Sequence, residues 1–188
     1  MNPTLSVRRR LFVAVAVLAL VAGAVAAVAA LDRARDSFIA EHNRPLGVGD
    51  CVVVGATDTD PQTPEVQARR AECHADPSYT VGAVATSTGE CPSSEYQHFP
   101  GPAADRVTAS LCLVPNLVAE HCYRLGVPIG LVERADCASN PADPTDGLLV
   151  QITRRLEVRD QDACPAVSGQ YAWPYPSPAR TYCTATVF

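Results

Sequence analysis

The side chains with the most reactive potential are eight cysteines: Cys51, Cys73, Cys91, Cys112, Cys122, Cys137, Cys164 and Cys183. A thiol can ligate metal, exchange with a disulfide or form a permanent crosslink, and spacing separates these uses. No two cysteines lie closer than ten positions, so neither the paired ligands of a zinc knuckle nor a Cys-x-x-Cys redox motif is present. An even number, all placed after one long apolar run, reads as structural disulfides made in an oxidising compartment. The four histidines, His42, His74, His98 and His121, are scattered. His74 and His121 each neighbour a cysteine and could face each other across two halves of the chain. No ligand spacing supports a metal site, so locally bonded or exposed imidazoles are expected. No cofactor is predicted.

Arg70-Ala71-Glu72 and Arg134-Ala135-Asp136 place an arginine and an acid two residues apart, on one face of a strand. A solvated cross-strand pair is the expectation for both. The segment Tyr171-Ala172-Trp173-Pro174-Tyr175-Pro176 is the best recognition candidate, because a stiff aromatic stretch offers contact area at low entropic cost. Tyr171, Trp173 and Tyr175 are its candidate partner-binding residues. The competing reading is that Trp173 covers the second half's core as Phe99 covers the first. There is no Gly-x-Ser-x-Gly elbow, His-Glu-x-x-His helix or phosphate-cradling glycine loop. A non-enzymatic binding or accessory subunit is expected, its partners the membrane and another membrane or envelope protein. The alternative is an extracytoplasmic enzyme acting on envelope components without a recognisable motif.

All fifteen basic residues are arginine. After residue 31 twelve remain against twenty acids, a formal charge of −8. Such a surface repels phosphate backbones and excludes nucleic acid as an expected partner.

The elements that would hold these groups begin with Leu11 to Leu31, an unbroken apolar and small-residue run. As a helix it would measure about 31 Å, enough for a hydrocarbon core of ~30 Å. A cleaved signal peptide competes, with small-x-small sites at Ala22-Gly23-Ala24 and Ala24-Val25-Ala26, but its apolar region is usually only ~7–15 residues long. Length favours a retained anchor. Arg8, Arg9 and Arg10 place residues 1–10 in the cytoplasm and the rest of the chain outside the cytoplasmic membrane. Residues 32–45 form a juxtamembrane helix or linker that stops near Asn43 and Pro45.

Residues 46–116 and 117–188 read as tandem copies. The first carries Gly49-Asp50-Cys51, Arg70-Ala71-Glu72-Cys73, Cys91-Pro92 and Ser110-Leu111-Cys112. The second answers with Glu120-His121-Cys122, Arg134-Ala135-Asp136-Cys137, Cys164-Pro165 and Thr181-Tyr182-Cys183. In each, Tyr precedes an aromatic-Pro pair between the third and fourth cysteines: Tyr96 with Phe99-Pro100, Tyr171 with Trp173-Pro174. Strands are predicted near Cys51–Val54, Val66–Cys73, Tyr79–Ala85, Ala109–Val114, Cys122–Val127, Gly130–Cys137, Leu148–Val158 and Arg180–Phe188, with short helices at Pro92–Phe99 and from Gln161. The near-continuous apolar Leu148–Ile152 suits a central strand. The fold class is α+β: an N-terminal transmembrane helix, then a strand-dominated, disulfide-rich duplicated domain.

Eight cysteines allow about a hundred pairings, but a duplicated unit should close within itself. First to second is favoured because those cysteines sit in consecutive strands, and third to fourth because those join a helix to the strand after it. The expected bridges are Cys51–Cys73, Cys91–Cys112, Cys122–Cys137 and Cys164–Cys183. Each loop would contribute about 3 kcal/mol in the chain-entropy account.

Gly49-Asp50-Cys51-Val52, Ala71-Glu72-Cys73-His74, Cys91-Pro92 and the aromatic-Pro approach to Cys112 and Cys183 resemble the septum-formation family of actinobacterial envelope proteins and the related LppU-like lipoproteins. The likeness covers about residues 46–188. It implies an extracytoplasmic, membrane-tethered domain without catalytic residues. His74 follows Cys73 directly, where the family often has a Pro-His pair, and the lipoprotein branch's lipid-modified cysteine is absent. Peptide mapping of the unreduced protein should recover the four bridges within halves; a crosslink such as Cys73 to Cys164 would overturn the pairing.

Overall fold

A computed structural model describes residues 23–37, 44–57, 65–126, 130–139 and 147–187. The chain divides into two compact units, Met1–Pro45 and Leu46–Phe188. In the first, residues 23–37 are helical (α1), and Ser37 Oγ donates to the Ala34 carbonyl at 2.9 Å. This corrects the expected transmembrane helix. The described part of the helix spans about 22 Å against a core of ~30 Å, and Asp32, Arg33, Arg35 and Asp36 charge its C-terminal half. Among the described residues no helix is long and apolar enough to cross a membrane. Residues 11–22 of the expected span lie outside the described residues.

The second unit is built from two antiparallel sheets. β1 (Cys51–Ala56), β2 (Val66–Arg70), β3 (Ser78–Val84) and β4 (Leu111–Asn116) form one, in the order β2-β1-β3-β4. β5 (Cys122–Leu125), β6 (Val132–Ala135), β7 (Leu148–Leu156), β8 (Gln170–Pro176) and β9 (Ala179–Thr186) form the other, in the order β6-β5-β7-β9-β8. The α+β expectation is corrected here too. Residues 92–99 form turns, where a helix was expected, and Gln97 makes an isolated bridge to Leu113. Near Gln161 there is one 3-10 turn, Gln161–Ala163. The physical reason is that the stretch after each third cysteine is drawn alongside the strand carrying the fourth: Gln97 N–H donates to Leu113 O, and Leu113 N–H returns the bond, both at 2.9 Å. In the second half the same place is taken by a full strand, β8, paired with β9 along its length. Pro174 and Pro176 are tolerated there because β8 is an edge strand with no further neighbour to serve.

The two sheets repeat the same register. Cys51 lies opposite Thr80, and Ala83, three residues on, lies opposite Cys112. Cys122 lies opposite Gln151, and Arg154, three residues on, lies opposite Cys183. Both ladders slip at the intervening step, between Val81 and Ala83 and between Ile152 and Arg154. The bridges are Cys51–Cys73, Cys91–Cys112, Cys122–Cys137 and Cys164–Cys183, with Cα separations of 5.1, 5.7, 5.2 and 5.4 Å. None crosses between the halves.

One core serves both sheets. Val52, Val66, Tyr79, Val81, Phe99, Leu113 and Leu117 join Tyr123, Val150, Ile152 and Tyr182 in one buried cluster. On β2 the burial alternates, Val66 and Ala68 inward, Gln67 and Arg69 outward, as expected of a sheet with one wet face. β4 is buried along its whole length and β9 along most of it. These strands hold the fourth cysteine of each half, and their side chains meet.

The bulge residue differs between halves for a steric reason. Thr153 occupies it in the second half, its hydroxyl donating to Cys183 O at 3.0 Å. In the first half it is Gly82, where an added Cβ would lie 1.9 Å from the Ser177 carbonyl oxygen of the β8–β9 turn and 2.6 Å from the Tyr96 ring. The second half's hairpin therefore seats against the first half's sheet where no side chain stands. Gly82→Ala should destabilise the domain by about 2 kcal/mol or more, measured by chemical denaturation. Gly55→Ala, which meets nothing within 4 Å, should stay within about 1 kcal/mol of the parent.

Candidate binding site

The repeat's asymmetry leaves an opening between the halves. β8 extends further than its counterpart around Gln97, and its Ala172-Trp173-Pro174-Tyr175 segment forms one wall of a pocket of about 370 Å³. Pro115 at the end of β4 and Leu117 in the β4–β5 connection (the crossover) line it as well, and Leu125, Gly130, Val132 and the polar-rim residues Glu95 and Gln97 complete the lining. That volume lies in the ordinary range for ligand pockets, ~300–1,000 Å³. The lining is mainly aliphatic, prolyl and aromatic. The rim polar groups are engaged: both Glu95 carboxylate oxygens accept from Arg159, at 2.8 and 2.9 Å, and Gln97 Nε2 donates to Gly130 O at 3.4 Å. The Arg159 hydrogen bonds hold the Glu95 carboxyl below its usual range.

Buried polar groups fix the wall formed by the crossover. Arg180, only 6% exposed, sends Nη1 to Pro115 O at 3.0 Å and Asn116 Oδ1 at 2.7 Å, while its Nε lies 3.5 Å from Glu157. Tyr182 donates to Pro115 O at 2.7 Å and accepts from Leu117 N–H at 3.0 Å. Tyr79 on β3 accepts from Val132 N–H at 3.3 Å, joining the first sheet to β6. Tyr175 packs its ring edge-on to Tyr182, centroids 6.0 Å apart. Burial pushes the Tyr79 phenol up to about 12 and raises those of Tyr175 and Tyr182 as well.

The three predicted aromatics part company along β8. Tyr171 is exposed at one end, Trp173 packs part-buried against the core and lines the pocket, and Tyr175 is buried beside it. Trp173 thus covers core and faces the opening at once. The other lining residues, Glu95, Gln97, Leu117, Leu125 and Val132, come from four separate stretches, and no sequence motif joins them.

A second polar cluster ties the halves together away from the pocket. Asp76, in the turn before β3, accepts from the Tyr123 hydroxyl, bonds His121 Nδ1 at 2.7 Å and lies 3.4 Å from Arg134 Nε. Arg134 also stacks over the Tyr123 ring, 5.6 Å from its centroid. Burial first, then the Asp76 bond, raises the Tyr123 phenol. A carboxylate-held imidazole is half of a general-base device, yet no hydroxyl or thiol of a described residue bonds His121, so no nucleophile is supplied. Arg70 pairs with Asp50 at 2.6 Å, and Arg134 lies 3.4 Å from Asp76. His121 faces Asp76, with His74 two residues away along the chain. Among the described residues no group of histidines, cysteines and acids could hold a metal ion.

No family model matches this chain, and no curated protein or solved structure is significantly similar to it.

The buried phenols fix the alkaline response. Unfolded tyrosine ionises near pH ~10, while the fold keeps Tyr79 protonated to about 12 and raises Tyr123, Tyr175 and Tyr182. The native state therefore binds more protons than the unfolded chain above pH ~10, so this stability is present below that pH and lost as pH rises through the folded values. Denaturation midpoints should be level from about pH 7 to 9 and fall by about pH 11. Phenolate absorbance should appear together with unfolding; an unchanged midpoint would contradict the burial.

Proposed function

We propose that residues 46–188 form a non-enzymatic binding domain that works in an oxidising, extracytoplasmic compartment and receives an apolar group in the pocket between its halves. The observation that carries this is the pocket itself, an aliphatic and aromatic recess framed by Trp173, Pro115 and Leu117 and held in shape by buried hydrogen bonds. A recess that keeps its shape without an occupant avoids much of the ordering cost of binding. Four disulfides, with no free cysteine among the described residues, support the compartment. The likeness of Gly49-Asp50-Cys51-Val52 and Cys91-Pro92 to septum-formation envelope proteins supports a cell-envelope role, as an accessory subunit that presents this pocket to an envelope component. The hydrolytic alternative would need two carboxylates converging on a cleft. This pocket has one, Glu95, and Arg159 already neutralises it.

The test uses the neutral fluorophore N-phenyl-1-naphthylamine, which brightens in apolar surroundings. Titrated into the purified domain it should bind saturably, with one site. Trp173 is the sole tryptophan, so quenching of its emission should follow the same curve. Trp173→Ala should weaken binding at least about tenfold, read by direct excitation of the probe, whereas Val167→Ala, on an exposed turn, should not. Absence of saturable binding, or binding indifferent to Trp173, sinks the proposal.

A further inference from the structure

The hydroxyl of Tyr175 belongs to a pocket residue and has no hydrogen bond to a described residue. The residue is 8% exposed and lines the pocket. Of the other buried tyrosines, Tyr79, Tyr123 and Tyr182 have their hydroxyls hydrogen-bonded within the domain, while Tyr96 does not line this pocket. The Tyr175 hydroxyl bonds to no described residue, although its ring is fixed edge-on against Tyr182. Its oxygen is not sealed from water in the core, so it stands as an available donor where the residue lines the recess. The hydroxyl is intelligible if something entering the pocket bonds it.

What enters is constrained by the other polar groups. Both oxygens of Glu95 are taken by Arg159, Gln97 Nε2 by Gly130, and the Pro115 carbonyl by both Tyr182 and Arg180. The recess therefore offers no uncompensated charge to attract an ion, and burying an unpaired charge against Leu117, Leu125, Val132 and Trp173 would be prohibitive. None of these engaged groups provides a second partner for the phenolic proton, so that proton remains available for an incoming acceptor.

We infer that the pocket's ligand is an uncharged, largely apolar small molecule with one hydrogen-bond acceptor, a carbonyl or ether oxygen that takes the proton of Tyr175. This rests on the pocket reading above and adds its polar determinant. Tyr175 is the specificity group; Trp173 and the aliphatic walls supply contact without discrimination.

The experiment compares menthone with p-menthane, one carbon skeleton with and without a carbonyl. Each competes with N-phenyl-1-naphthylamine on the parent protein, Tyr175→Phe and Trp173→Ala. Tyr175→Phe should weaken menthone about three- to tenfold, the range of one neutral hydrogen bond, and leave p-menthane unchanged. Trp173→Ala should weaken both. The melting temperature of Tyr175→Phe should match the parent's, since no bond within the protein is lost. Equal menthone affinity in parent and Tyr175→Phe overturns this inference while leaving the pocket standing. Failure of the probe and both competitors to bind the parent overturns the pocket reading and this inference with it. A clearly destabilised Tyr175→Phe also overturns it, since the hydroxyl would then have its partner in the protein.

Discussion

The guanidinium of Arg180 is the constraint around which the domain is arranged. A cation placed almost out of reach of water must be matched by acceptors or it disfavours the fold. Glu157 of its own half lies against its Nε, but two of its acceptors come from the other half: the Pro115 carbonyl and the Asn116 amide oxygen. Asn116 passes the constraint on, its Nδ2 donating to Ser78 Oγ at 3.1 Å and its Oδ1 accepting from Thr80 Oγ1 at 2.9 Å, so the start of β3 is held as well. One side chain on β9 thus positions the end of β4, the start of β3 and the crossover. Because Pro115 and Leu117 are also pocket wall, the recess inherits its shape from a charge that does not enter it.

Two sheets that repeat one register differ by a strand, and the pocket lies where they differ. The second half extends the stretch after its third cysteine into β8, where the first half makes a single bridge at Gln97. The added strand needs somewhere for its turn, and the bulge at Gly82 supplies it. Once seated there, β8 overhangs the crossover, and the space beneath is the pocket. The pocket thus goes with the difference in length between the two halves' stretches after the third cysteine.

The cysteines made much of the framework readable in the sequence, because a disulfide demands a fixed Cα separation and so limits which strands lie side by side. Cys51 with Arg70-Ala71-Glu72-Cys73, and Cys122 with Arg134-Ala135-Asp136-Cys137, locate two hairpins whose register the structure repeats. The apolar run Leu148–Ile152 identified a strand with neighbours on both sides. The helix reading of residues 92–99 went wrong because local propensity yielded to pairing with β4. β8 was hidden by its own prolines, which made Tyr171–Pro176 read as a stiff recognition segment until its place at a sheet edge is known. The pocket was illegible for a deeper reason: Glu95, Gln97, Leu117, Val132 and Trp173 are distant in sequence and meet only through the packing of two sheets. The pairing of His121 with Asp76 likewise joins residues forty-five positions apart.

All four crosslinks respect the boundary between the halves, and this bears on how the protein is made. A chain that emerges N-terminus first would present Cys51, Cys73, Cys91 and Cys112 to its oxidant before Cys122 exists to compete. The first hairpin set can close correctly on its own schedule, and the later thiols then find no earlier one free to mispair with. No thiol of one half needs a partner in the other, and the tyrosine and arginine contacts across the boundary join two halves each crosslinked within itself.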